Sequence, residues 1–194
     1  MEIQPYILIG GNSTRFGTDK ATFEFEGEML AARAARTAEE ALPKTQARFV
    51  SKAADTFLGR PVIADVYADR GAAGAIHAAL ANASAPWIFI LACDLPLAGR
   101  DLIAKLSTFI EEEHGCVVPV QPDGRWQPLC AFYHVDMCLK RFEMAIAGAD
   151  RNQSLRSIAE HVEPRLVEFS EYSDIPDSRR LLTNVNTLAD LDNI

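Results

Sequence analysis

The chain has no long hydrophobic run. In 194 residues no uninterrupted apolar stretch approaches the roughly 20 needed to cross a bilayer, so a soluble protein is expected. The opening residues Met1-Glu2-Ile3-Gln4-Pro5 lack the basic start and apolar core of a secretory signal, which predicts a cytoplasmic location. Cysteine is scarce. Cys93, Cys116, Cys130 and Cys138 form no C-x-x-C pair and have no histidine at zinc-finger spacing, so reduced thiols are expected. Positive charge is also in short supply: 19 Lys plus Arg against 27 Asp plus Glu give a net charge of −8. Binding to nucleic acid or an anionic membrane needs a basic face, so neither is expected. A small anion, which needs only a few local donors, stays open. There is no repeat, low-complexity tract or Gly/Ser linker, and we expect one domain over 1–194. A chain of this length buries about 70% of its unfolded surface and needs no disulfide or structural metal to fold.

What is present is alternation. Apolar strand-like runs occur at 6–9, 48–51, 61–64, 87–92 and 116–120. Between them, 29–42, 73–83 and 102–113 carry helical spacing, and Pro43 stops the first of these. Later, 129–133 reads as a strand, 135–147 and 154–162 as helices, 165–169 as an edge strand, and 187 onward as a final helix. Strand then helix, repeated with short connections, predicts an α/β fold: a doubly wound, mostly parallel sheet with helices on both faces. Ligands of such sheets bind beyond the carboxyl ends of the strands, so the polar residues after each apolar run are the candidates.

After Ile7-Leu8-Ile9 comes Gly10-Gly11-Asn12-Ser13-Thr14-Arg15-Phe16-Gly17-Thr18-Asp19-Lys20. The glycines let the backbone turn its N–H groups toward one point, a nest suited to phosphate. Arg15 adds a planar bidentate donor and Lys20 a mobile point charge. The spacing fits neither G-x-x-x-x-G-K-[ST] nor G-x-G-x-x-G. At the end of 87–92 stands Cys93-Asp94-Leu95-Pro96, where the Asp94 carboxylate is placed to hold a hard cation against phosphates. A helix cap is the plainer reading of Asp94, although Asp101 is the better candidate cap. Asp65 ends the run 61–64 and precedes Asp69-Arg70-Gly71-Ala72-Ala73-Gly74. Either Asp65 or Asp69 also reads as a solvated loop acid. Gln127, at a turn fixed by Pro128, offers an amide for the edge of a heterocycle. The four histidines are scattered, and none is given a role.

The segment Leu8-Ile9-Gly10-Gly11-x-Ser13-x-Arg15-x-Gly17-x-Asp19-Lys20-Ala21 resembles the signature loop of nucleotidyltransferases. Its double glycine and Asp-Lys resemble the molybdenum cofactor guanylyltransferases, the MobA family. Cys93-Asp94-x-Pro96, Gln127-Pro128-Leu129-x-Ala131-x-Tyr133 and Asn184-x-Asn186-Thr187-x-x-Asp190-Leu191 are similar to further segments of that family, in the same order. The resemblance implies a Rossmann-like nucleotidyltransferase fold, its N-terminal part binding nucleotide and its C-terminal part the acceptor. It implies an enzyme that moves GMP from GTP to molybdopterin and releases pyrophosphate. Arg15, Lys20 and Asp94 would be catalytic, with Mg²⁺ on Asp94. Leu8, Gly10, Gly11, Lys20, Asp65, Gly71 and Asp94 would bind nucleotide. Arg15, Gln127, Arg156, Asn184 and Asn186 would face the acceptor, with molybdoenzymes or cofactor-delivery proteins as further partners.

Two departures from the family pattern, and two residues with plainer readings, leave alternatives. Ala72-Ala73 replace the Pro-Leu of the family's glycine loop, and Lys52 stands where an Asn is common. Arg156 reads equally well as a solvated helix charge, and Asn186 or Thr187 as a cap of the last helix. A CTP-dependent cofactor or sugar nucleotidyltransferase is the alternative enzyme. A non-catalytic GTP-binding accessory protein of cofactor biosynthesis is the alternative from another class.

Overall fold

The computed structural model describes residues 1–10, 20–52, 55–148, 153–185 and 190. The first half carries β1 (Ile3–Leu8), a small hairpin of β2 (Glu24–Phe25) and β3 (Glu28–Met29), α1 (Leu30–Ala41), β4 (Arg48–Ser51), β5 (Thr56–Phe57), β6 (Arg60–Ala64), α2 (Gly71–Ala81) and β7 (Trp87–Ala92). The second half carries α3 (Arg100–Ser107), β8 (Cys116–Pro119), β9 (Cys130–His134), α4 (Val135–Ala147), α5 (Leu155–Ala159) and β10 (Pro164–Val167).

One sheet runs β10-β8-β9-β7-β1-β4-β6-β5. β7 is buried at every position, as a strand covered on both faces must be. It pairs in parallel with β1, β1 with β4, and β4 with β6. β9 runs antiparallel between β7 and β8, and β10 lies parallel to β8 at the outer edge. The sheet is therefore mostly parallel, as expected.

Side chains alternate between the two faces. Ile7, Phe89 and Leu91 meet α1, α3 and the C-terminal residues Tyr172, Leu181 and Leu182. Tyr6, Leu8, Ile88 and Ile90 meet α2, α4 and α5. From β1 the chain adds β4 and β6 on one side and then crosses to place β7 on the other. That reversal opens a crevice at the carboxyl ends of β1 and β7, the usual ligand position in such sheets.

Some boundaries moved. α3 stops at Ser107 instead of running to 113, because Ser107 and Thr108 turn their hydroxyls back onto the carbonyls of Ala104 and Lys105. The β2–β3 hairpin was not expected. Of the helix expected from 187, only Asp190 is among the described residues, and it is helical. Among the described residues, no helix is long and apolar enough to cross a membrane.

Candidate active site

Four parallel strands end together. Leu8 is level with Val50 and Ala92, and Ser51 with Ala64. The ladder extends past the strands: Ile9 N–H donates to Val50 O at 3.0 Å, Cys93 N–H to Leu8 O at 3.2 Å, and Asp65 N–H to Ser51 O at 2.9 Å. Gly10, Lys52, Asp65 and Asp94 therefore emerge along one edge. Gly10 lies against the end of β4, where an added Cβ would sit 3.5 Å from Cα of Ser51. Leu8 keeps its side chain in the core and its carbonyl on Cys93, so its part is to fix the exit of β1.

Asp94 is half-buried at the end of β7. Its own carbonyl accepts from Val185 N–H at 2.9 Å, which draws the C-terminal segment to this edge. α3 begins only at Arg100, with Gly99 at its N-cap and no side-chain cap bond. Neither Asp94 nor Asp101 caps that helix; Asp101 sits in its first turn, where a negative charge suits the helix dipole. The turn after Asp94 is held by Arg33 of α1, whose Nε donates to Pro96 O at 3.0 Å. The same guanidinium pairs with Glu26 at 2.9 Å and lies 5.2 Å from the Phe25 ring centroid, pinning the β2–β3 hairpin beside the turn.

A strand-end carboxylate beside the exit of β1 would suit Mg²⁺, which takes one or two carboxylates and fills its shell with phosphate oxygens and water. The only other described acidic group within reach of one ion, Glu111, Glu113 and His114, precedes β8 and so lies at the opposite edge of the sheet. It does not belong to this site.

Asp65 is buried at 6% exposure. Its Oδ1 accepts from Tyr67 N–H at 3.0 Å. Burial raises its pKa; the Tyr67 bond and the charges of Lys52 and His77 pull it partly back. The loop then packs onto α2 so closely that a Cβ on Gly74 would come within 2.4 Å of Tyr67 O and 2.7 Å of Asp65 Oδ1. Gly71 opens α2 at φ 56° and ψ −137°, a backbone shape that disfavours any side chain. On the outer side of this loop a cavity of about 480 Å³ is lined by Tyr67, Arg70, His77 and Glu143 among others. It lies on the helix face rather than in the row of strand ends.

The residues expected to face the acceptor reach the same edge. Leu129 O accepts from Ala92 N–H, and Gln127 N–H donates to Pro119 O, both at 2.9 Å, so the turn before β9 sits beside the exit of β7. Gln127 is buried, and its Nε2 donates to Asn184 Oδ1 at 2.9 Å. Arg156 is not merely a solvated charge. Its guanidinium stacks 4.8 Å from the Trp126 ring centroid and pairs with Glu160 at 2.9 Å, next to the Gln127 turn. Gly11, Arg15 and Asn186 lie outside the described residues. Lys20 opens a short 3-10 turn, Lys20–Thr22, anchored by the fully buried Ala21.

Residues 6–166 match the family model of the MobA-like NTP transferase domain. The chain belongs to this family. It is a nucleotidyltransferase. A Geobacillus sp. (strain WCH70) protein named "Probable molybdenum cofactor guanylyltransferase" is 28% identical over 196 residues, 97% of this chain and 95% of that protein. The solved molybdopterin-guanine dinucleotide biosynthesis protein A of Archaeoglobus fulgidus shares the fold with a TM-score of 0.75 at 19% identity, over 98% of this chain and 95% of that one. The fold is shared as well by 4-diphosphocytidyl-2C-methyl-D-erythritolsynthase of Anaerococcus prevotii, at TM-score 0.69 and 10% identity, over 98% and 95%.

Three residues of this nucleotidyltransferase escaped the sequence reading. Arg33 is one of two arginines in α1, set between alanine pairs, which was its only signal. Trp126 has no role in the sequence reading, yet its ring carries Arg156. Tyr67 left no signal, because its backbone, not its ring, holds Asp65.

Proposed function

We propose that this nucleotidyltransferase is a molybdenum cofactor guanylyltransferase, moving GMP from GTP to the terminal phosphate of molybdopterin in the cytoplasm. The observation that carries this reading is the meeting of two arms at one sheet edge. The nucleotide arm, Gly10, Asp65 and Asp94, is joined to the acceptor arm, Gln127 and Asn184, through the Val185–Asp94 bond. A transferase must bring two phosphorylated substrates together, and this joint is where they would meet.

The acceptor phosphate is already anionic and needs no protein nucleophile. One of its oxygens attacks the α-phosphorus of GTP, a new P–O bond forms, the bond to the β-phosphate bridge breaks, and pyrophosphate leaves. The protein supplies position and charge stabilisation. Gly10, Gly11 and the following N–H groups would cradle the triphosphate, with Leu8 fixing the strand exit beneath them. Arg15 and Lys20 would neutralise charge on the phosphates and leaving group. Asp65 and Gly71 would shape the nucleotide side; Arg156, Asn184 and Asn186 would face the acceptor. Asp94 would hold Mg²⁺, which neutralises phosphate charge when bound. Pyrophosphate release from GTP that requires molybdopterin tests the reading. Stronger thermal stabilisation by CTP than by GTP would favour the cytidylyl alternative that Lys52 keeps in view.

A further inference from the structure

We propose that Gln127 is a positioning residue: it fixes the side-chain amide of Asn184 with its NH2 outward, so that this arm of the site reads an oxygen acceptor on the second substrate. The inference rests on the proposed function only in taking that substrate to be the acceptor of the transfer.

Gln127 is 6% exposed. Its N–H donates to Pro119 O and its backbone carbonyl accepts from Cys130 N–H. Its amide oxygen accepts from Leu129 N–H at 3.4 Å, which only the oxygen end of the amide can do. The NH2 end is thereby turned to Asn184. An NH2 can be met only by the oxygen of a second amide, and Oδ1 of Asn184 lies 2.9 Å away. The two orientations are thus set in sequence, from Leu129 through Gln127 to Asn184.

What Asn184 has left is its own NH2. The bond to Gln127 is its side chain's only one among the described residues, and the residue is half-buried, not sealed. The next residue is tied to Asp94 by the Val185 N–H bond, so Asn184 cannot swing freely away from the edge. An asparagine on an untethered loop could offer a ligand either its oxygen or its NH2. Here it offers donors. The group it recognises is therefore a phosphate or ring-carbonyl oxygen, and a ligand N–H at that point would be rejected. Gln127 takes no part in that contact, because both ends of its buried amide are engaged inside the protein.

The test inverts the amide. In Gln127→Glu a carboxylate oxygen still accepts from Leu129 N–H while the other repels Oδ1, so Asn184 rotates, gives its NH2 to the carboxylate and shows its oxygen to the ligand. In the free protein, the Asn184 side-chain NH2 resonances should move downfield and exchange more slowly with water. With substrates, the KM for molybdopterin should rise by roughly 10- to 100-fold, as for a lost hydrogen bond to a charged or strongly polar group, while the KM for GTP stays unchanged. In an Asn184→Ala background, Gln127→Glu should add nothing. Gln127→Met keeps the volume without the charge and should give a smaller rise if Gln127→Glu proves too unstable to assay. An effect of equal size in the Asn184→Ala background would mean that Gln127 touches the substrate itself and would overturn the proposal. Unmoved NH2 resonances in Gln127→Glu would overturn it too, with no reference to turnover. A wild-type protein that makes no guanylylated product defeats the proposed function instead.

Discussion

The backbone N–H of Tyr67 donates to Oδ1 of Asp65 at 3.0 Å, and the same two residues form the wall against which Gly74 of α2 is packed. This carboxylate is thus buried by its own loop and oriented by one main-chain donor.

The arrangement costs stability at neutral pH. Burial raises the Asp65 pKa above its ordinary value, so the folded protein holds this proton to higher pH than the unfolded chain does. The folded state is therefore penalised above the folded pKa, and the penalty is relieved as pH falls through it toward the unfolded value. Asp65→Asn keeps an oxygen for Tyr67 N–H and removes the charge. Its melting temperature should exceed that of the wild type at pH 8, with the gain shrinking toward pH 4. A gain independent of pH would contradict this account.

Gly74→Ala should reverse a common trend. Within a helix, Gly to Ala usually stabilises by about 0.5–1 kcal/mol. Here the new methyl would meet the Tyr67 carbonyl at 2.4 Å, a backbone atom that cannot move alone. We expect a loss of ~1–3 kcal/mol, as for overpacking, read as a lower denaturant midpoint with unchanged slope. GTP affinity should fall with it, because the Asp65 loop is what must shift.

Much of this was legible in the sequence, and the reason is periodicity. The strand-like run 87–92 is β7, and the helix expected over 135–147 matches α4 residue for residue. Asp94 and Gln127 were visible because each sits where an apolar strand meets a proline-containing turn. Their connection was not. The Gln127–Asn184 bond spans 57 residues and joins two segments by a single side-chain contact, which leaves no local pattern. The clasp of Arg33 on Pro96 is hidden for the same reason, 63 residues apart. The antiparallel direction of β9 between two strands of opposite sense was equally invisible, since period-2 patterning carries no direction.

The thiols should be inert in the folded enzyme. All four cysteines are buried and none forms a disulfide, and burial pushes the Cys116 and Cys130 thiols up to about 12. Reactivity follows the thiolate. Ellman's reagent at pH 8 should label none of the four quickly in the native protein and all four in guanidinium. Fast labelling of one native thiol would show that its neighbourhood opens.

Asp94→Asn keeps the size of the side chain and leaves the backbone bond to Val185 in place, so the fold should stay intact. Turnover should fall by about 100-fold or more, the scale on which removing one preorganised electrostatic contact acts. Near wild-type turnover with an unchanged Mg²⁺ requirement would remove Asp94 from the metal-holding role.

The most direct measurement is transfer itself. Purified protein is given GTP labelled at the α-phosphate, molybdopterin and Mg²⁺, and the label is followed beside pyrophosphate. Label should appear in a molybdopterin guanine dinucleotide, with one pyrophosphate per label transferred, and both should be lost with EDTA. Transfer from CTP in preference to GTP, or transfer that survives EDTA, would contradict the proposed function.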